Sequence, residues 1–124
     1  MLNGEKTGFR PTVEDMYAGY TVIENKFTGN TTIGIVMTNA CFDKSRLCKI
    51  ARMAQNGLAR SIRPVHTSAD GDSVYAMSVG TVQADMDMVG TLAADVMSEA
   101  ILSAVKNAET AYGYISANDF LTEY

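Results

Sequence analysis

Residues 29–40 of this chain read Gly-Asn-Thr-Thr-Ile-Gly-Ile-Val-Met-Thr-Asn-Ala. Residues 28–30 are turn-forming, and residues 31–38 are a short, β-branched and nearly continuous apolar run. Such runs are typical of a strand that is covered on both faces. Gly34 within the run indicates close approach by another backbone or side chain. This stretch therefore predicts a buried strand that begins directly after a turn.

Two helices are predicted downstream of this strand. Asp43 is the expected N-cap of a helix that runs to about Ile62 and buries one face at i, i+3, i+4, i+7 spacing. Pro64 follows its end, where a helix cannot continue. A longer helix is expected over residues 86–108, with acidic residues at its positive end. So little of its circumference is polar that we expect it to be wedged between other layers.

The sequence predicts only a few further strands, and the resulting sheet is smaller than two such helices normally cover. Residues 73–79 predict a second strand, and residues 20–27 alternate loosely enough to predict another. A helical turn is expected over residues 12–17. Helices that cover a sheet give an α/β layered domain. Because the predicted sheet is small, we infer that further strands come from elsewhere.

Composition excludes several classes of function. The chain has 124 residues, of which 47% are hydrophobic and 19% charged, with a net charge of −4. It lacks the basic clusters that nucleic-acid binding requires, and charged residues interrupt its most apolar stretch, which argues against a membrane span. The two cysteines, Cys41 and Cys48, indicate neither a metal site nor a disulfide framework. We expect no cofactor and no metal, and a cytoplasmic location.

Familiar catalytic motifs are absent from the sequence. It contains no nucleophile elbow, phosphate-binding loop or dinucleotide fingerprint. His66 is the only histidine, and a loop-anchoring role is favoured over that of a catalytic base. A threonine at a chain terminus needs no histidine, because its own α-amino group serves as the base. Thr31, after a turn and before a buried strand, suits self-cleavage that would create such a terminus.

The blocks around Thr31 resemble the small subunit of the DmpA family, which includes L-aminopeptidase/D-esterases, β-peptidyl aminopeptidases and nylon-oligomer hydrolases. The likeness begins in residues 29–40 and extends almost without gaps to residue 108. Three further blocks carry it, namely residues 50–67, 70–76 and 89–96. The second of them includes the loop Asp70-Gly71-Asp72.

This resemblance implies a DmpA/ornithine acetyltransferase-like layered sandwich, of which only the C-terminal part is present. It implies self-cleavage between Asn30 and Thr31, with Thr31 as the nucleophile and with Asp70 and Asp72 as site residues. Residues 1–30 would be the tail of the upstream, large-subunit portion and its linker, and residues 31–124 the small-subunit nucleophile domain. The upstream portion would supply a Tyr, a Lys and an oxyanion-hole Asn.

Three functions stay open on the sequence. The leading one is an aminopeptidase- or amidase-type hydrolase that acts on small peptides, D-amino-acid esters or oligoamides. The second is acyl transfer of the ornithine acetyltransferase type. The third is a non-catalytic oligomerisation module, which we expect of the chain on its own: uncleaved, inactive and self-associating. The expected partners are the upstream portion of the same precursor and further copies of the chain.

Overall fold

A computed structural model describes residues 12–18 and 31–121. Its elements in chain order are α1 (Thr12–Tyr17), β1 (Ile33–Ala40), α2 (Lys44–Ser61), β2 (Ser73–Val82), α3 (Met86–Asn107) and α4 (Asn118–Leu121). All the helices and strands predicted within these residues are confirmed, with ends shifted by a few residues. β1, predicted to be covered on both faces, has one face exposed among the described residues. The strand predicted over residues 20–27 lies outside the described residues.

Aspartate side chains begin both long helices. Asp43 accepts a hydrogen bond from the amide of Arg46 at 2.8 Å, and Asp85 accepts one from the amide of Met88 at 2.9 Å. Each carboxylate thereby satisfies an amide that has no partner within the helix. α2 ends where Ile62 becomes extended, and Pro64 follows two residues later after a cis peptide bond.

β1 and β2 form a two-stranded parallel sheet, connected through α2. The pairing runs from Ile33 opposite Ser73 to Thr38 opposite Ser78, and then shifts by two residues so that Ala40 pairs with Val82. Gly80 lies at this shift, directly against the backbone of Asn39, where a side chain has no room. The predicted α/β class is confirmed, as a partial domain with a small sheet and its helices.

The core lies between the sheet and the α2–α3 pair. Ile50 and Leu58 of α2 are fully buried, and Met97 of α3 reaches across to β1. A Cβ on Gly34 would lie 2.8 Å from the Cε atom of Met97, so the close approach predicted at this glycine is confirmed. Gly57 allows α2 to contact the α3 backbone directly.

The outer face of the sheet is apolar and exposed. Ile35, Met37 and Tyr75, which share this face, are 62%, 65% and 61% exposed. An open apolar groove of about 330 Å³ continues from β1 to α3, where Leu92 and Val96 line it. We call this continuous area, from the outer sheet face to the α3 side of the groove, the apolar face. It is the kind of surface that proteins cover with another layer.

Within the described residues, α3 is the one helix whose length and apolar composition would suffice to cross a membrane. Its small residues Gly90, Ala93 and Ala94 are buried, in part against α2. A core helix of a soluble protein meets the same criterion, so this property carries no information on location.

Candidate active site at the start of the two strands

The predicted site residues meet at the amino ends of β1 and β2. Thr31 is separated from β1 by Thr32 alone, and Asp70 and Asp72 lie in the loop that leads into β2. Because Ile33 pairs with Ser73, the residues just before the two strands face each other. The register of the sheet therefore brings together two segments about 40 residues apart. Asn30, the predicted source of the scissile carbonyl, lies outside the described residues.

Asp72 connects the loop to the chain next to Thr31. Its Oδ1 accepts a hydrogen bond from the amide of Thr32 at 2.9 Å, and the amide of Ser73 donates to the carbonyl of Thr32 at 2.9 Å. The Asp72 side chain is only 6% exposed. A carboxylate buried to this extent requires partners for its charge, and the Thr32 amide is one of them. Asp72 thus fixes the backbone on the C-terminal side of Thr31.

Gly71 leaves room for the Thr31 hydroxyl. A Cβ at position 71 would lie 2.7 Å from Oγ1 of Thr31, closer than two such atoms can stand. The hydroxyl therefore lies directly against the backbone of the Asp70-Gly71-Asp72 loop. Thr31 itself is exposed, so its Oγ1 is held on one side by the loop and is open on another.

Asp70 organises the loop itself. Its Oδ2 accepts a hydrogen bond from the amide of Thr67 at 2.6 Å. Hydrogen bonds from the hydroxyl and the amide of Thr67 hold the pKa of Asp70 below its ordinary value, and His66 adds to this effect. Because the folded-state pKa is the lower one, the stabilisation by Asp70 is complete above the unfolded-state pKa. It is lost only as the pH falls through the folded-state value.

An open cleft of about 510 Å³ adjoins these residues. Thr31, Thr32, Asp70 and Asp72 line it on one side, and residues 62–65, just after α2, line it on another. Its carboxylates face an exposed Arg63. Such a cleft provides a hydroxyl, two carboxylates and a cation within one accessible space, which are groups that acyl chemistry on a small polar substrate can use.

The structure adds one residue that the sequence interpretation left aside. Nδ1 of His66, expected only to anchor its loop, lies 3.2 Å from Oδ2 of Asp72. The backbone of His66 is left-handed, with φ of 55°, and local sequence patterns do not predict such a conformation. Within residues 12–18 and 31–121, no three His, Cys, Asp or Glu side chains are grouped as ligands of a metal ion.

Known proteins are similar in sequence to this chain over most of its length. The model of peptidase family S58 matches residues 3–118. An uncharacterized aminopeptidase of Mycobacterium leprae is 34% identical over 125 aligned residues, which cover 88% of this chain and 34% of the relative. An uncharacterized aminopeptidase of Mycobacterium tuberculosis (strain ATCC 25618 / H37Rv) is 35% identical over 105 residues, which cover 73% of this chain and 30% of the relative.

A 6-aminohexanoate-oligomer endohydrolase of Kocuria sp. is 30% identical over 91 residues, which cover 63% of this chain and 26% of the relative. No solved structure matches the chain. The chain thus spans no more than 34% of the length of these relatives. The family match nevertheless takes in both strands, both long helices and every residue of the candidate site. The chain therefore belongs to peptidase family S58.

Proposed function

We propose that this chain is the nucleophile-bearing part of a self-cleaving amide hydrolase, with Thr31 as its nucleophile. The observation that carries the proposal is the position of the Thr31 hydroxyl, directly against Gly71 in the loop that carries Asp70 and Asp72. The aminopeptidases and the oligomer hydrolase among its relatives support hydrolysis of peptide or amide bonds.

Maturation proceeds by attack of Thr31 Oγ1 on the carbonyl carbon of Asn30. The C–N bond between the two residues breaks, an ester to Oγ1 forms, and the nitrogen becomes the free α-amino group of Thr31. Water then hydrolyses the ester, which releases Asn30 with a carboxylate and restores the hydroxyl. The resulting amine, with an ordinary pKa of about 8, lies next to the hydroxyl that it must deprotonate.

Turnover uses the same hydroxyl on an external amide. The α-amine takes the proton of Oγ1, which attacks the substrate carbonyl; the leaving amine departs with a proton, and water hydrolyses the acyl-enzyme. Asp72 holds the Thr32 amide at 2.9 Å and so keeps the first residues of the new chain in place.

An upstream portion of the same precursor is the proposed partner of the apolar face. The relatives extend well beyond the part that this chain matches, and the face exposes Ile35, Met37 and Tyr75. A covering layer there would remove these side chains from water. It would also bring to the cleft the Tyr, Lys and oxyanion-hole Asn that the DmpA resemblance implies.

For the chain on its own, a packing or oligomerisation role is the second candidate, and the apolar face favours it. Without the groups that polarise the Asn30 carbonyl, we expect the isolated chain to stay joined between Asn30 and Thr31. An assay that offers an amine and water as competing acyl acceptors distinguishes acyl transfer from hydrolysis. Transfer mainly to the amine would assign the chain to an acyltransferase.

The test of the proposed function places this chain downstream of a family large-subunit portion in one polypeptide. Wild-type protein should yield a second chain beginning Thr-Thr-Ile-Gly and should hydrolyse amides. Thr31→Ala should stay uncut and lose turnover by about a thousandfold or more, as removal of a nucleophile does. Thr32→Ala is the matched control, since it keeps the backbone amide of Thr32 that donates to Asp72. Cleavage and turnover that survive Thr31→Ala would overturn the proposal.

A further inference from the structure

His66 is the one histidine of the chain, and its imidazole contacts Asp72. Nδ1 is 3.2 Å from Oδ2 of Asp72, whereas the residues that line the cleft do not include His66. The imidazole side chain is 37% exposed. It therefore contacts the oxygen of Asp72 that does not bind the Thr32 amide.

The two oxygens of Asp72 have separate partners. Oδ1 accepts from the Thr32 amide at 2.9 Å, and Oδ2 faces His66. The imidazole, the carboxylate and the Thr32 amide thus form a continuous series that ends one residue from Thr31. Because the Asp72 side chain rotates as a unit, a partner that fixes Oδ2 also fixes Oδ1 on the Thr32 amide.

We propose that His66 is a positioning residue of the Thr31 site, which holds the Asp72 carboxylate in place by carrying a proton on Nδ1. A carboxylate accepts hydrogen bonds and does not donate them, so the imidazole proton must be on Nδ1 if the contact is to hold Oδ2. The contact is a property of this chain. Its effect on catalysis rests on the proposed function of Thr31.

The left-handed backbone of His66 supplies a matched pair of variants. At a φ of 55°, asparagine and aspartate are among the best-tolerated residues. The two have nearly the same shape, but an asparagine amide donates hydrogen bonds and an aspartate carboxylate does not. His66→Asn should therefore preserve the hold on Asp72, and His66→Asp should release it. His66→Gly, which tolerates the same backbone, removes the donor without adding a charge.

The first measurement is the ring tautomer of wild-type His66 in this 124-residue chain. Since the chain has one histidine, nitrogen-15 NMR reports a single imidazole. At high pH, where the ring is neutral, we expect the proton on Nδ1 and a bare Nε2. A proton on Nε2 with Nδ1 bare would overturn the proposal, because Nδ1 would then have nothing to donate.

The second measurement is hydrogen exchange of the Thr32 amide in the same chain. We expect His66→Asp and His66→Gly to speed this exchange about tenfold or more. Loss of a partner by the buried Asp72 carboxylate should lower, by about tenfold or more, the ratio of molecules in which Asp72 holds the Thr32 amide to molecules in which it does not. His66→Asn should stay within about threefold of wild type. The amide of Ile50, in the middle of α2, shows whether each variant stays folded. Equal Thr32 protection in all folded variants would overturn the inference.

Turnover separates this inference from the proposed function. In the precursor that carries this chain, His66→Asp should lower kcat about tenfold with KM nearly unchanged, because misplacement of a reacting group slows the chemical step. His66→Asn should restore kcat; if the two variants have equal kcat, the positioning role is wrong. If Thr31→Ala remains active, the proposed function fails while the NMR measurements still decide on the His66–Asp72 contact.

Discussion

At the scale of single residues, Gly71 decides whether the Thr31 hydroxyl can occupy its place. A Cβ at position 71 would lie 2.7 Å from Oγ1 and 3.6 Å from Cγ2 of Thr31. The oxygen would have to move by several tenths of an ångström or more, away from the loop. The reacting group of the proposed mechanism is therefore placed by the absence of a neighbouring side chain as much as by any hydrogen bond.

Gly71→Ala in the precursor should slow both self-cleavage and turnover by about a hundredfold, since misplacement of a reacting group on this scale has that effect. Ser68→Ala, at an exposed position of the same loop, should leave both rates unchanged. Rates come from the time course of the cut chain and from an amide assay, with the melting temperature as a measure of folding. Wild-type rates in a folded Gly71→Ala variant would contradict the position assigned to Oγ1.

At the scale of elements, α2 and α3 are in contact along their backbones at Gly57. A Cβ there would meet the Ala94 carbonyl, and would stand 2.7 Å from the Cβ of Met97 and 3.0 Å from the amide of Ser98. Two of these three atoms belong to the backbone and cannot rotate away. An added methyl group must therefore separate the helices.

Gly57→Ala should lower the free energy of unfolding by up to about 2 kcal/mol. Overpacking costs about 1–3 kcal/mol, and the better helix propensity of alanine offsets roughly 1 kcal/mol of it. Asn56→Ala, at the exposed neighbouring position of α2, should be neutral or slightly stabilising. Urea unfolding of the two variants and the wild type measures the difference. A more stable Gly57→Ala variant would show that the helices are not in contact there.

The elements also show which part of the fold local sequence predicts. Asp43 was correctly predicted as the N-cap of α2, because a cap involves only the amide three residues ahead. The contact between Asp72 and the Thr32 amide spans 40 residues and depends on the strand register. Asp72 entered the predicted site through family resemblance and not through any local pattern.

The site lies at the amino ends of the two parallel strands, whereas ligands of open α/β sheets usually bind at the carboxyl ends. The proposed N-terminal nucleophile would account for the difference, because its hydroxyl and amine would be at the start of a strand. The left-handed His66, which lies against Asp72, follows from the loop conformation after α2. Local patterns of turn-forming residues do not specify that conformation.

At the scale of the whole molecule, residues 12–18 and 31–121 expose more apolar surface than their own elements cover. One face of the sheet packs on the helices, and the other carries Ile35, Met37 and Tyr75 in the open. The prediction that α3 is wedged between layers stays a prediction. α2 packs on α3, while Leu92 and Val96 remain exposed beside the groove.

The apolar face predicts self-association of the isolated chain. Burial of apolar surface is favourable by roughly 25 cal/mol per Å², so in the absence of the proposed upstream portion a second copy is the available cover. Ile35→Lys would place a charge in the middle of the face and should shift the chain towards monomer at the same concentration. Tyr112→Lys changes a fully exposed aromatic residue in the tail and should leave the association unchanged.

Light scattering across a concentration series measures the association of both variants and the wild type. A wild-type chain that is strictly monomeric at high concentration would mean that the apolar face does not drive association, and an equal response to the two lysines would place the contact elsewhere.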